Sequence, residues 1–166
     1  MGNVFMRIGV VSDTHNNLHN CARIVELFNE SGVDRVVHTG DITQAKTVEV
    51  FAGLRPPLFG VFGNNDLERA SLEVVIKKHG FDFVDPPFCL HWEGRSICIV
   101  HDPLEFSLVD QSSFDLLLHG HTHRYTHVLK GSQLMFNPGE CAGLMPGLNA
   151  IGLVDLVTLE AEVIRF

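Results

Sequence analysis

A chain of 166 residues, 45% hydrophobic and 19% charged, is long enough to bury a core and too apolar to stay disordered. Twelve Lys and Arg against twenty Asp and Glu leave a formal charge of −8. That balance argues against a sequence-independent nucleic-acid binder, which needs a basic face to displace counterions from phosphates.

No run approaches the roughly 20 apolar residues of a membrane span. The N-terminal MGNVFMRIGVVSD has no basic region followed by a long apolar stretch and a cleavage site. A single domain over residues 1–166, cytoplasmic and off the membrane, is the expectation. Cys21, Cys89, Cys98 and Cys141 form no C-x-x-C pair, so a structural zinc site is not expected.

The first half alternates strand and helix. RIGVVSD (7–13) is a continuous apolar run of the kind covered on both sheet faces. Leu18, Ile24, Val25, Leu27 and Phe28 then recur at helical spacing until Ser31-Gly32. DRVVHTGD (34–41) and PLFGVFGN (57–64) read as strands, with helices around Thr47–Phe51 and Leu72–Lys78. In the second half FCLHW and SICIV flank a Glu93-Gly94 turn, a hairpin that sets Cys89 opposite Cys98. In a reducing compartment both thiols are expected to stay unbridged. A short helix near Leu104–Val109 leads to DLLLHG, followed by YTHVL, QLMFN, the Gly/Pro-rich loop 137–147, AIGLVDLV and EAEVIRF. Parallel βαβ units followed by mostly antiparallel strands predict two packed sheets with helices outside.

Polar clusters fall where these strands stop: Ser12-Asp13-Thr14-His15, Thr39-Gly40-Asp41, Gly63-Asn64-Asn65-Asp66, His101-Asp102 and Gly120-His121-Thr122-His123. In open α/β sheets ligands bind beyond the carboxyl ends of strands, so the clusters are expected to converge on one crevice. Extended residues two apart share a side, which would let Asp13 act with His15, and His121 with His123. Mixed imidazole and carboxylate donors suit transition metals rather than calcium. His19, His79, His91 and His127, each alone, read as surface or satisfied core residues.

D-x-H, G-D, G-N-x-D, a separate His and G-H-T-H, in that order over residues 8–139, resemble the calcineurin-like metallophosphoesterase superfamily. The short chain and its G-H-T-H…N-P-G ending resemble the small YfcE-like phosphodiesterase branch. The resemblance implies an α/β fold, an αββα sandwich of two mixed β-sheets flanked by helices. It also implies two divalent metals, manganese foremost, with nickel, iron, zinc, cobalt or magnesium as alternatives. Carried over by position, Asp13, His15 and His123 would hold one metal and Asn64, His101 and His121 the other, with Asp41 bridging. His119 would be no ligand.

The implied reaction is in-line attack on a phosphoester by a hydroxide bridging the metals. Two divalent ions bring four positive charges, Asp13 and Asp41 return two, and the centre stays able to attract phosphate. Three positions depart from the family pattern. Asn65 stands where relatives place His or Cys; it can donate a hydrogen bond to phosphate or leaving group but no proton near neutrality. Slow turnover, good leaving groups and diesters over monoesters are therefore expected. His101 is followed by Asp102-Pro103, and Glu140 follows Asn137-Pro138-Gly139 where relatives commonly have Ser. Pointing inward, Glu140 would repel very anionic substrates.

The partner expected is a small phosphoester, with no sequence-specific nucleic acid and no membrane; self-association is left open. The competing reading is a non-enzymatic scaffold like the retromer subunit of the same fold, with the loop CAGLMPGL as its interface. A nucleotide-binding flavodoxin-like domain lacks its glycine-rich loop here, and no G-x-S-x-G elbow supports a serine hydrolase.

Overall fold

The structure, a computed structural model, describes residues 5–166. Met1–Val4, part of the stretch from which the lack of a secretory leader is read, lie outside the described residues. The element order is β1 (Arg7–Val11), α1 (Leu18–Ser31), β2 (Arg35–His38), α2 (Ala45–Phe51), β3 (Leu58–Val61) and α3 (Arg69–Lys78). There follow β4 (Asp82–Val84), β5 (Phe88–Trp92), β6 (Arg95–Ile99) and β7 (Leu116–Leu118). The chain closes with β8 (Thr126–Lys130), β9 (Gln133–Asn137), β10 (Ala150–Asp155) and β11 (Ala161–Arg165).

Two mixed sheets pack face to face. One has six strands in the order β11-β10-β1-β2-β3-β4, the other five in the order β5-β6-β7-β9-β8. β1, β2, β3 and β4 are parallel, as the βαβ pattern predicts, and β10 and β11 return antiparallel to close the same sheet. In the second sheet β6, β7 and β9 also run parallel. The second half is therefore less antiparallel than its hairpins suggest, because β8 folds back as an edge strand on β9 instead of separating β9 from β7.

Alternation on the buried strands explains the layers. Ile8, Val10, Val37, Val61 and Val154 point into the space between the sheets and meet Ile97, Ile99, Leu116, Leu118 and Phe136. Val11, Val36, Leu58 and Leu153 point the other way, against Ile24, Phe28, Val48, Phe51 and Leu72 of the three helices. With both faces covered, these strands read as continuous apolar runs. Helix α1 starts where the Asn17 side chain accepts a hydrogen bond from Asn20 N at 3.0 Å, and it stops at Gly32, whose φ of 63° is left-handed. Its Ile24 and Phe28 are fully buried, each contributing roughly 1.5–3 kcal/mol by burial, and truncating Phe28 to Ala would cost about 3–5 kcal/mol.

The outer face of the second sheet carries two short 3-10 turns, Pro103–Leu108 and Gln111–Ser113, where the family pattern implies helices. Phe106 of the first turn packs on Cys98, Val100 and Leu117. The strand β4 has no counterpart in the sequence reading; at three residues it is too short to show a period. The hairpin register sets Cys89 opposite Cys98, and all four cysteines are free. No helix among the described residues is long and apolar enough to cross a membrane.

Candidate metal centre

The parallel strands β1, β2 and β3 of one sheet and β6 and β7 of the other end at a common edge, and the five polar clusters meet there. Asp13, His15 and His123 bring one donor atom each within 4.8 Å of one another, and so do Asp13, Asp41 and His101. His101 Nε2 stands 2.9 Å from Asn64 Oδ1, and His121 Nδ1 stands 3.1 Å from the same oxygen and 3.3 Å from His101 Nε2. Asp41 Oδ2 lies between the groups, 3.6 Å from His15 Nε2 and 3.4 Å from His101 Nε2. All seven side chains singled out by the sequence are thus brought together.

The spacing fits cations. Metal bonds to N and O donors of about 2.0–2.2 Å, at angles between 90° and 109°, put neighbouring donors about 3.0–3.5 Å apart. Several donors are also left without partners: Asp13 Oδ1 and His15 Nε2 are buried and make no hydrogen bond. Orphaned buried acceptors are costly unless something positive completes them.

The remaining polar atoms are tied down. Asp13 Oδ2 accepts from the Ser12 hydroxyl and from His121 N, which leaves Oδ1 facing His123 Nε2 at 3.5 Å. His101 Nδ1 is 2.9 Å from the Thr39 carbonyl, so the ring presents Nε2 to the site. Asp41 accepts at Oδ1 from Asn65 N (2.9 Å) and at Oδ2 from Asn65 Nδ2 (2.8 Å). Asn65 thereby holds Asp41 with one of its two side-chain N–H donors.

Burial disfavours charge on His101, but hydrogen bonding and charge from Asp41, helped by Thr39 and Asp13, outweigh it and raise its pKa to about 9. Burial likewise opposes ionisation of Asp41, and the bonds from His101 and Asn65 overcome it, holding the carboxyl well below its usual range. The cage thus favours a positively charged group.

The local backbone departs from expectation. Asp13, His15, Asp41, His121 and His123 have φ of 51°, 46°, 60°, 66° and 55°, all left-handed. D-x-H and H-x-H therefore act from tight turns, not from extended chain. Asp and His tolerate this region better than most residues, and strain of about 1–3 kcal/mol per site persists only where surroundings enforce it. Gly63 is one such surrounding: a Cβ there would lie 2.2 Å from Asp41 Oδ1, so only glycine lets the β3 loop approach.

Three supporting roles are not legible in the sequence. Asp66 accepts backbone N–H bonds from Asp41 (3.0 Å), Thr43 (2.6 Å) and Gly63 (2.6 Å), clamping the β2 and β3 loops together. Burial, aided by repulsion from Asp41, pushes its pKa up against the pull of those bonds. The fourth position of G-N-x-D was visible, but its role was not. His38, fully buried, accepts from Gly40 N at Nδ1 (3.1 Å) and meets Thr14 Oγ1 at Nε2 (3.0 Å). Burial drives its pKa down to about 3. Glu140 is the third. It is completely buried rather than at an open mouth, with its oxygens taking N–H bonds from Leu144 and Met145 and one of them 3.5 Å from His123 Nδ1.

His119 belongs to neither donor group; its ring lies edge-on to Phe106 and its Nδ1 is 3.0 Å from the Gly120 carbonyl. Beside Asn64, His101 and His121 opens a groove of about 310 Å³ that includes Arg69, Asp85 and Asp102. A larger hollow of about 610 Å³ between residues 111–115 and the β8–β9 hairpin contains none of the seven donors and lies away from the chemistry.

The fold and this centre match one class of protein. Residues 6–159 match the calcineurin-like phosphoesterase superfamily domain, and the chain belongs to that superfamily. Among its relatives, phosphodiesterase MJ0936 of Methanocaldococcus jannaschii is 30% identical over 154 residues, 90% of this chain and 93% of that protein. A solved archaeal phosphodiesterase superposes with a TM-score of 0.87 at 30% identity, covering 97% of this chain and all of that one. The YfcE phosphoesterase of E. coli follows at 0.69 and 25% identity, over 91% and 89% of the two chains. Vps29 of Entamoeba histolytica, at 18% identity and a TM-score of 0.68, covering 97% and 99%, shares the fold.

Proposed function

We propose that this chain is a metal-dependent phosphodiesterase with a two-metal centre. Asp13, His15 and His123 would hold one ion and Asn64, His101 and His121 the other, with Asp41 shared. The reading is carried by the convergence of donor atoms at 2.9–3.6 Å with buried Asp13 Oδ1 and His15 Nε2 left unpartnered. Its activity is also that of the relative MJ0936. Divalent cations supply Lewis acidity, which draws in phosphate and lowers the pKa of water. Imidazole and carboxylate donors favour manganese or a neighbouring transition metal.

The chain's own residues shape the rest. With only Asp13 and Asp41 as anionic donors, and Asn64 neutral, the centre keeps net positive charge once loaded. Asn65, bound to Asp41, offers no ionisable proton, so esters with good leaving groups are favoured. The groove beside Asn64 and His121 pairs Arg69 with Asp85 at 2.8 Å and adds the carboxylate of Asp102, which favours diesters over dianionic monoesters. Purified protein loaded with Mn should hydrolyse bis(p-nitrophenyl) phosphate, lose that activity to a chelator and regain it with metal. A fully loaded preparation inert toward nitrophenyl diesters and monoesters would refute the reading.

One observation favours a scaffold instead. Leu144, Met145 and Leu148 are 71%, 38% and 45% exposed on one loop, as a docking surface would be. The complete donor set weighs against that reading, and the same diester assay separates the two.

A further inference from the structure

Glu140 follows β9 by three residues, and it is wholly out of solvent. Among the described residues no Lys or Arg pairs with it; its one ionic neighbour is His123, whose Nδ1 is 3.5 Å from Glu140 Oε2. The carboxylate is otherwise satisfied by Met145 N at 2.7 Å on Oε1 and Leu144 N at 3.3 Å on Oε2. His123 Nδ1 is itself buried and lacks a hydrogen-bond partner, while Nε2 on the far side of the ring faces Asp13. A buried carboxylate without a cation is expensive, and here the matching charge would come through the imidazole. A metal-bound histidine typically donates its second N–H to a carboxylate, which fixes the tautomer and strengthens the metal bond.

We propose that Glu140 is the positioning residue for His123, and that the same carboxylate couples metal occupancy to the order of the apolar loop 142–148. Accepting from Nδ1–H leaves the Nε2 lone pair for metal. Taking the Leu144 and Met145 amides on the same group ties the exposed apolar side chains to that event. Asn17 Nδ2 and Asn20 Nδ2 anchor the start of the loop through the carbonyls of Ala142 (2.9 Å) and Cys141 (2.8 Å), so Glu140 governs its middle. The inference rests on the proposed metal centre.

The test is Mn affinity by calorimetry and amide hydrogen exchange at Leu144 and Met145, with and without Mn, in wild type, Glu140→Gln and Glu140→Ala. Gln keeps one oxygen for the loop amides but removes the negative charge. Expected are two Mn per wild-type chain, about 10–100-fold weaker binding of one of them in Glu140→Gln, and slower exchange at both amides on metal addition in wild type only. A role confined to the loop would speed exchange in Glu140→Ala and leave Mn affinity in Glu140→Gln unchanged, which would overturn the proposal. Wild-type amides indifferent to Mn would overturn the coupling even if neither variant folds. Wild type that takes up no Mn would refute the metal centre itself, and this inference with it.

Discussion

The two halves of the centre are built differently. Around Asp41 and His101, both 2% exposed at the side chain, nearly every polar atom has a protein partner: Asn65 on Asp41, the Thr39 carbonyl on His101, and Asp66 beneath both loops. Around His15 and His123, 27% and 21% exposed, buried nitrogens and one Asp13 oxygen have none. One half holds its shape through its own hydrogen bonds; the other leaves buried donors that, on the proposed reading, a cation would complete. If the proposed centre takes two metals, its sides need not be equally ready, and the His101 side is expected to bind first and more tightly.

The largest expected effect comes from removing what the halves share. Asp41→Asn deletes charge facing both, and kcat/KM on a nitrophenyl diester should fall by about 10³-fold, the equivalent of several kcal/mol of charge stabilisation. A loss under tenfold would mean that the halves work independently. Next, Asp66→Ala leaves three backbone N–H groups unpaired and should lower unfolding stability by about 3 kcal/mol, read from chemical denaturation. Unchanged stability would show that the well-bonded half does not depend on its clamp. Asn65→Ala removes one of the two Asn65 bonds to Asp41 and should weaken metal by about 10–100-fold with little change in stability. If Asn65→Ala alters neither, Asp41 is held by other means.

The effect that builds most gradually is a pH slope. Folded His38 resists protonation down to about pH 3, while the unfolded residue binds a proton near its ordinary value of about 6.5. The unfolded state therefore gains the proton first, and stability is lost as pH falls from about 6.5 toward 3. In metal-free protein that contribution should be about 1.4 kcal/mol per pH unit, and it should vanish in His38→Gln. Equal slopes for the two proteins would remove His38 from the account.

Much of this was legible in the chain. Strands β1, β2 and β3 announced themselves as apolar runs because both their faces are covered, and each ran straight into its polar cluster. Asp13, His15, Asp41 and the later donors stood out because metal chemistry restricts residue type and order. What could not be read was geometry that depends on contact. Asp13, His15, His121 and His123 sit in left-handed turns, so the extended-chain argument that paired Asp13 with His15 missed the geometry that brings them together, and it does not account for His121 and His123, which join different neighbours. Glu140 looked like a carboxylate at the mouth because sequence carries no sign of which way a turn residue points. His38 resembled any strand histidine until Gly40 N and Thr14 closed on its ring.

The central claim is most directly tested by a crystal grown with Mn and measured at the manganese edge. Two anomalous peaks about 3.5–4 Å apart, one beside Asp13, His15 and His123, the other beside Asn64, His101 and His121, with Asp41 touching both, are predicted. No peak, or a single peak elsewhere with these side chains directed apart, would contradict the account.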